Sequence, residues 1–225
     1  MSEYEKVKSL DEDTSNYKFI CYPTTFNQTW NNFYEKYYKI LDLPISKNEK
    51  EEFYFNTEFI LDKKAIDYSN FLKTTVNCDH DSNIYDMFST KDFDSEAFTW
   101  FIAFTKLFDT QEEHYMPPKP ADPVLLTGFT RKKKGIDVFN EKEVLFYTAI
   151  GENSPLNIKI LNFCNYINCE KLMYNTAYTL ASYIRRTSAL DIIKHYKQVG
   201  ILAKDAKITN YGCEDCDDEP IPEDH

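Results

Sequence analysis

Four histidines, six cysteines and a few paired carboxylates are the residues of this chain whose types could carry chemistry. His80, His114, His195 and His225 stand in unrelated contexts, and none pairs with another at metal-ligand spacing. Cys213-Glu214-Asp215-Cys216 is the one CxxC. A zinc site needs a second pair of ligands and a redox site needs a strand-to-helix setting, and this motif has neither. Cys164 and Cys169 fall inside a helical pattern and at its end, where a buried thiol packs as a small hydrophobe. Glu112-Glu113 sits in a loop pattern with no apolar pocket to raise a pKa, so acid–base catalysis has no anchor. Gly151-Glu152-Asn153-Ser154-Pro155 reads as a turn and helix cap rather than the strained turn that presents a nucleophile. With five glycines in 225 residues, phosphate-cradling glycine loops have little material. No catalytic residue, metal ligand or cofactor site is expected, and the chain reads as a non-catalytic binding protein.

Composition narrows the partner. Hydrophobic residues make up 42% and aromatics 16%, enough for one good core but hardly two large domains. The net charge of −11 argues against direct nucleic-acid binding, which relies on Lys and Arg displacing counterions. Arg131-Lys132-Lys133-Lys134 is a local exception, read as a solvated loop, with a nuclear-localisation signal or an acidic-partner contact as the sharper alternative. Met1 to Lys6 has no apolar core of the signal-peptide kind, and no stretch approaches the roughly 18 apolar residues of a membrane span. Reduced thiols in the cytoplasm and nucleus are therefore expected.

The elements follow from periodicity. The first sixteen residues are polar and read as frayed. Tyr17 to Tyr22 reads as a strand ended by Pro23, and Trp30, Phe33, Tyr37 and Leu41 form the stripe of an amphipathic helix stopped by Pro44. After a charged hinge over 47–52, Phe53, Phe55, Thr57, Phe59 and Leu61 alternate as one half-buried strand. Ala65 to Val76 suits a short helix and Ile84 to Phe88 a short strand. Asp94 caps a helix over Ala97 to Phe108 that is apolar nearly all round, hence buried on several sides. A proline-rich connection over 110–136 is expected to be mobile. Helices then follow in succession: Val138 to Ile150, closed by Gly151; Ser154-Pro155 to about Ile167; Glu170 to Arg185; and a last one opened by a Ser188–Asp191 capping box and ended by Gly200. The tail over 201–225 is acidic and reads as disordered. Strands mixed with helices early and consecutive helices late predict an α+β fold.

The helical half also resembles a known family. Asn165-Tyr166-Ile167-Asn168-Cys169-Glu170-Lys171-Leu172-Met173, followed by Leu180-Ala181-Ser182-Tyr183-Ile184 and Ser188-Ala189-Leu190-Asp191-Ile192, resembles the C-terminal region of the Skp family, the adaptors of SCF ubiquitin ligases. Upstream, Ala97 to Phe108, Met116-Pro117-Pro118-Lys119-Pro120 and Ile136-Asp137-Val138-Phe139-Asn140 are similar to the family's buried helix, its proline-rich insertion and its re-entry segment. The chain departs from the pattern at Phe163-Cys164, where two small residues are usual, at Arg186, where a Gly is usual, and in having no Trp after Trp100.

The resemblance implies a BTB/POZ-type core with a small sheet over 53–168, including the loop 110–136. It implies F-box-binding helices over 169–200, and leaves 1–52 as an N-terminal extension or an inserted helix. It implies an adaptor bridging an F-box protein to a cullin scaffold. The F-box surface would draw on Leu172, Met173, Ala177, Leu180, Ala181, Ile184, Ile192 and Ile193, part of the stripe facing the domain's own core. The cullin surface would include Asn165 and Tyr166. Two alternatives stay open: a structural subunit of a chromatin or centromere assembly that binds an F-box protein without a cullin, which Phe163 favours, and an elongin-C-like core that recognises a short helix. The late helices argue against the last.

Overall fold

The computed structural model describes residues 16–24, 37–49, 53–78, 83–87, 93–116, 139–151, 154–198, 200 and 202. The chain separates into two compact units, Met1–Thr187 and Ser188–His225. The first is α+β. Strands β1 (Tyr17–Ile20), β4 (Glu58–Leu61) and β5 (Ile84–Asp86) form a sheet in the order β4-β1-β5, with β1 antiparallel to β4 and parallel to β5. Register places Phe59, Phe19 and Tyr85 in one row on the inner face, all buried. Ile60, Lys18 and Ile84 form the row facing solvent, as the two-residue period of a strand requires.

The alternation over 53–61 does not make one strand. It breaks at Asn56-Thr57 into β3 (Phe53–Phe55) and β4, and β3 pairs antiparallel with β2 (Ile45–Lys47) as a separate hairpin. β2 overlaps the start of the expected hinge. Alternation reports which face is buried, not which strand lies alongside, so the partition was not visible in it. The stripe from Trp30 lies outside the described residues as far as 36; beyond it, Tyr37 and Leu41 are buried, joined by a 2.9 Å bond from Leu41 N to Tyr37 O.

The helix expected over Ala65–Val76 is two: α1 (Lys63–Asp67), capped by Asp62 through a 2.8 Å bond from Ala65 N, and α2 (Asn70–Cys78). The break is Tyr68-Ser69. Ser69 is fully buried; its hydroxyl accepts from Leu72 N at 3.0 Å and donates to Ile167 O at 2.5 Å. It thereby satisfies an orphan amide of α2 and ties that helix to the end of α5 (Pro155–Ile167).

α3 (Ser95–Thr105) begins as expected at Asp94, whose carboxylate accepts from the amides of Glu96 and Ala97. Every residue of α3 except Glu96 is buried, which its continuous apolar surface foretold. Glu96 and Asp94 are met by Lys159 of α5 at 2.5 and 3.0 Å. Burial works against that ammonium, yet the two carboxylates hold its pKa above the ordinary lysine value.

The connection after α3 is not loose throughout. Gln111–Glu113 form a 3-10 turn, and His114 beyond it is only 3% exposed. Three lysines reach this stretch from separate helices: Lys64 donates to Phe108 O at 2.6 Å, Lys142 to Leu107 O at 3.0 Å, and Lys171 to Gln111 O. Each ammonium satisfies a backbone carbonyl beyond the end of α3 and ties the segment to a different helix. Within the connection expected to be mobile, residues 110–116 make these bonds; residues 117–136 lie outside the described ones, as does the acidic tail apart from Leu202.

α4 (Glu141–Ile150) starts at the cap Asn140 and ends at Gly151, whose φ of 82° suits glycine. α5 starts on Ser154-Pro155 as read from sequence. α6 (Glu170–Arg186) follows after one left-handed residue, Asn168, at φ 52°. In the second unit, α7 (Ala189–Gln198) opens with Ser188 Oγ accepting from Asp191 N at 3.2 Å and contacting its carboxylate at 2.7 Å. Gly200 lies just beyond α7, at φ 78°. No helix among the described residues is long and apolar enough to cross a membrane.

Candidate functional site

α6 is turned opposite to the way amphipathic logic places a helix. Its fully buried residues are Leu172, Asn175, Thr176 and Thr179, one apolar and three polar. Its aliphatic stripe lies on the other side: Met173, Ala177 and Leu180 are half-buried, Ala181 is exposed, and Ile184 is 41% exposed. The i, i+3, i+4 spacing that marks a core face here marks a face that is only partly buried and becomes exposed toward Ala181 and Ile184. Among the residues expected on the partner surface, Leu172 is corrected: it belongs to the core cluster and is unavailable to any partner. Met173 packs partly against the same cluster. In the second unit, Ile192 and Ile193 are half-buried and Leu190 is 68% exposed.

Asn165 and Tyr166 sit on α5, a helix separate from this stripe. Asn165 is exposed, whereas Tyr166 leans on Phe71 and Phe93 at ring distances of 5.2 and 6.4 Å and is half-buried. Phe163 is 2% exposed and packs among Phe93, Phe98 and Phe101, so this departure from the family pattern changes the core rather than the surface.

Beneath α6 lies a polar cluster that sequence reasoning missed. Glu143 of α4 is fully buried. Its Oε1 accepts from Tyr115 N at 3.1 Å, from His114 Nδ1 at 3.3 Å and from Asn175 Nδ2 at 3.4 Å. Its other oxygen has no hydrogen-bond partner among the described residues. A carboxylate can only accept, so Nδ1 carries the imidazole proton and Nε2 accepts from the Tyr68 hydroxyl, 3.0 Å away. Burial pushes the Tyr68 phenol up, which keeps that donor protonated. Phe104 stacks on the imidazole at 4.0 Å, and Phe108 meets it edge-on at 4.7 Å. The only sequence signal was negative: polar Asn175, Thr176 and Thr179 recur at helical spacing, which ordinarily marks a solvent face.

Burial lowers the His114 pKa; the hydrogen bond and charge of Glu143 pull it back up, Lys171 lowers it and Glu113 raises it, and the net shift is downward. His114 is therefore a neutral hydrogen-bonding link at neutral pH rather than half of an ion pair. Unfolding restores an ordinary value of about 6.5, so the unfolded chain takes up a proton that the folded chain refuses. Stability should be complete above about pH 6.5 and fall as pH drops from there to the depressed folded value. Urea titrations at a series of pH values should show this slope, and His114→Gln should lack it; an equal slope in both would assign the acid sensitivity elsewhere.

Around Glu112, Tyr115, Met116, Phe139, Asn140 and Lys171 an open cleft adjoins this cluster. The nearby Glu113 is held below the usual carboxylate range, first by the Thr110 amide and hydroxyl, so its shift runs opposite to that of a general acid. His80, His225, Cys213 and Cys216 lie outside the described residues, and among those described no cluster of His, Cys, Asp and Glu could hold a metal. Comparison with protein-family models, with curated proteins and with solved structures finds no match to this chain.

Proposed function

We propose that the protein is a non-catalytic adaptor with a BTB/POZ-type core, which grips an F-box protein through α6 and α7 and presents α5 to a cullin, acting in the cytoplasm and nucleus. The observation that carries the reading is the reversal of α6. A helix that buries Asn175, Thr176 and Thr179 while leaving Met173, Ala177 and Leu180 only partly buried and Ala181 and Ile184 exposed carries apolar surface that the domain's own core uses only in part. Such a face is what an apolar partner surface requires. The small mixed sheet followed by consecutive helices supports the same reading, because the family resemblance calls for that order. Asn165, exposed on α5, gives the second partner a surface of its own.

The test is a binding assay with a purified F-box protein and a cullin N-terminal domain. Burying one aliphatic side chain contributes roughly 1.5–3 kcal/mol, so Ile184→Asp and Ile193→Asp should each weaken F-box binding about ten- to a hundredfold or more. Both variants should retain the wild-type circular dichroism spectrum and thermal midpoint. Asn165→Ala with Tyr166→Lys should spare the F-box protein and lose the cullin. Unchanged F-box affinity in both isoleucine variants would place the grip elsewhere. F-box binding with no cullin captured by the wild-type chain would favour the structural-subunit alternative.

A further inference from the structure

The corner between α5 and α6 brings two thiols together. α5 ends on left-handed Asn168; Cys169 N bonds back to Cys164 O at 2.9 Å and Asn168 N to Asn165 O at 3.4 Å. This is the Schellman arrangement, in which the residue three from the helix end and the second residue beyond it place their side chains in contact. Here those two residues are both cysteines. Both are free and both are fully buried. Backbone geometry across a 2.9 Å N–H···O bond caps the separation of the two α-carbons at about 6.8 Å, within the span a disulfide bridges.

We propose that Cys164 and Cys169 are a redox modification site that closes to a reversible intramolecular disulfide under a peroxide. Packing explains why each thiol is buried, but a single small hydrophobe at either position would serve packing equally well. In the reaction one thiol loses its proton and attacks a peroxide oxygen, cleaving the O–O bond to give a sulfenic acid and hydroxide. The second sulfur then attacks the sulfenic sulfur and expels its oxygen. Overall, two thiols and one hydrogen peroxide become one disulfide and two waters. Access requires the corner to open. It is held there by the Ser69 hydroxyl on Ile167 O and by Asn70 N on Asn168 O, so oxidation is gated by loss of those bonds rather than by surface exposure. Once formed, the link pins the turn joining the helix of Asn165 to the helix of the aliphatic stripe.

The test treats the reduced full-length chain with hydrogen peroxide at neutral pH, alkylates remaining thiols after denaturation, and maps the peptides by mass spectrometry. Cys78, exposed on α2, serves as the internal standard for oxidant exposure. The expected result is a peptide pair joined through Cys164 and Cys169, lighter by two hydrogens and restored by dithiothreitol. Ser69→Ala should speed its formation several-fold by loosening the corner. Recovery of both thiols reduced when Cys78 is fully oxidised would overturn the proposal, as would a link that forms only after denaturation. The mapping uses the unaltered chain, so it stands even if a corner variant fails to fold.

Discussion

Replacing Phe98 by alanine should cost about 3–5 kcal/mol of folding free energy, the range for truncating a fully buried phenylalanine. Phe98 is 0% exposed at the point where the sheet, α3 and α5 converge. Its ring lies 4.8 Å from Phe93, 5.0 Å from Phe59, 5.9 Å from Phe163 and 6.1 Å from Phe19. Rings fixed from several elements cannot collapse together into the space left behind, so the cavity term adds to the lost burial. Urea unfolding followed by far-ultraviolet circular dichroism measures the change. Phe98→Leu, which keeps most of the volume, should lose clearly less. A loss under about 1 kcal/mol for the alanine variant would mean that this aromatic cluster is not the organising core.

Glu143→Ala should be of comparable severity, about 3–5 kcal/mol, because it strands buried hydrogen-bond donors rather than because it opens a cavity among rings. Removing the carboxylate leaves His114 Nδ1–H, the Tyr115 amide and the Asn175 side-chain amide buried without the acceptor they share. Glu143→Gln keeps one acceptor oxygen and should lose less. Glu143→Leu fills the space but strands the same donors, so it should resemble alanine. Hydrogen exchange offers a second measurement: the Tyr115 amide should lose protection in the alanine and leucine variants before the sheet amides do. If leucine equals or exceeds the wild type in stability, the cluster is a tolerated irregularity and not a fastening of the 110–116 segment.

Much of the local structure was legible in the residues. Asp94, Ser154-Pro155, Gly151 and Ser188 announced helix ends through a short-range mechanism, a side-chain acceptor for orphan amides or a backbone that only glycine adopts easily. The all-round apolarity of Ala97 to Phe108 announced a central helix for the same local reason. The break at Tyr68-Ser69 was not legible, because Ser69 caps α2 while bonding to a carbonyl 98 residues away. The split of the 53–61 alternation into two sheets was likewise a matter of which strand lay beside each half.

By itself, then, the sequence determined the α+β class, the helix ends at Asp94, Gly151, Ser154 and Ser188, and the alternating faces of the strands. Each of these depends on neighbours within a few positions along the chain. Tertiary structure alone decided which side of α6 faces inward. Periodicity favours burying the aliphatic stripe, but Glu143 and His114 occupy the adjoining interior and need polar company. Stranding a buried carboxylate without donors costs more than leaving a few aliphatic side chains half in water. Asn175 and its threonine neighbours therefore go inside, and the stripe from Met173 to Ile184 runs from partly buried to exposed.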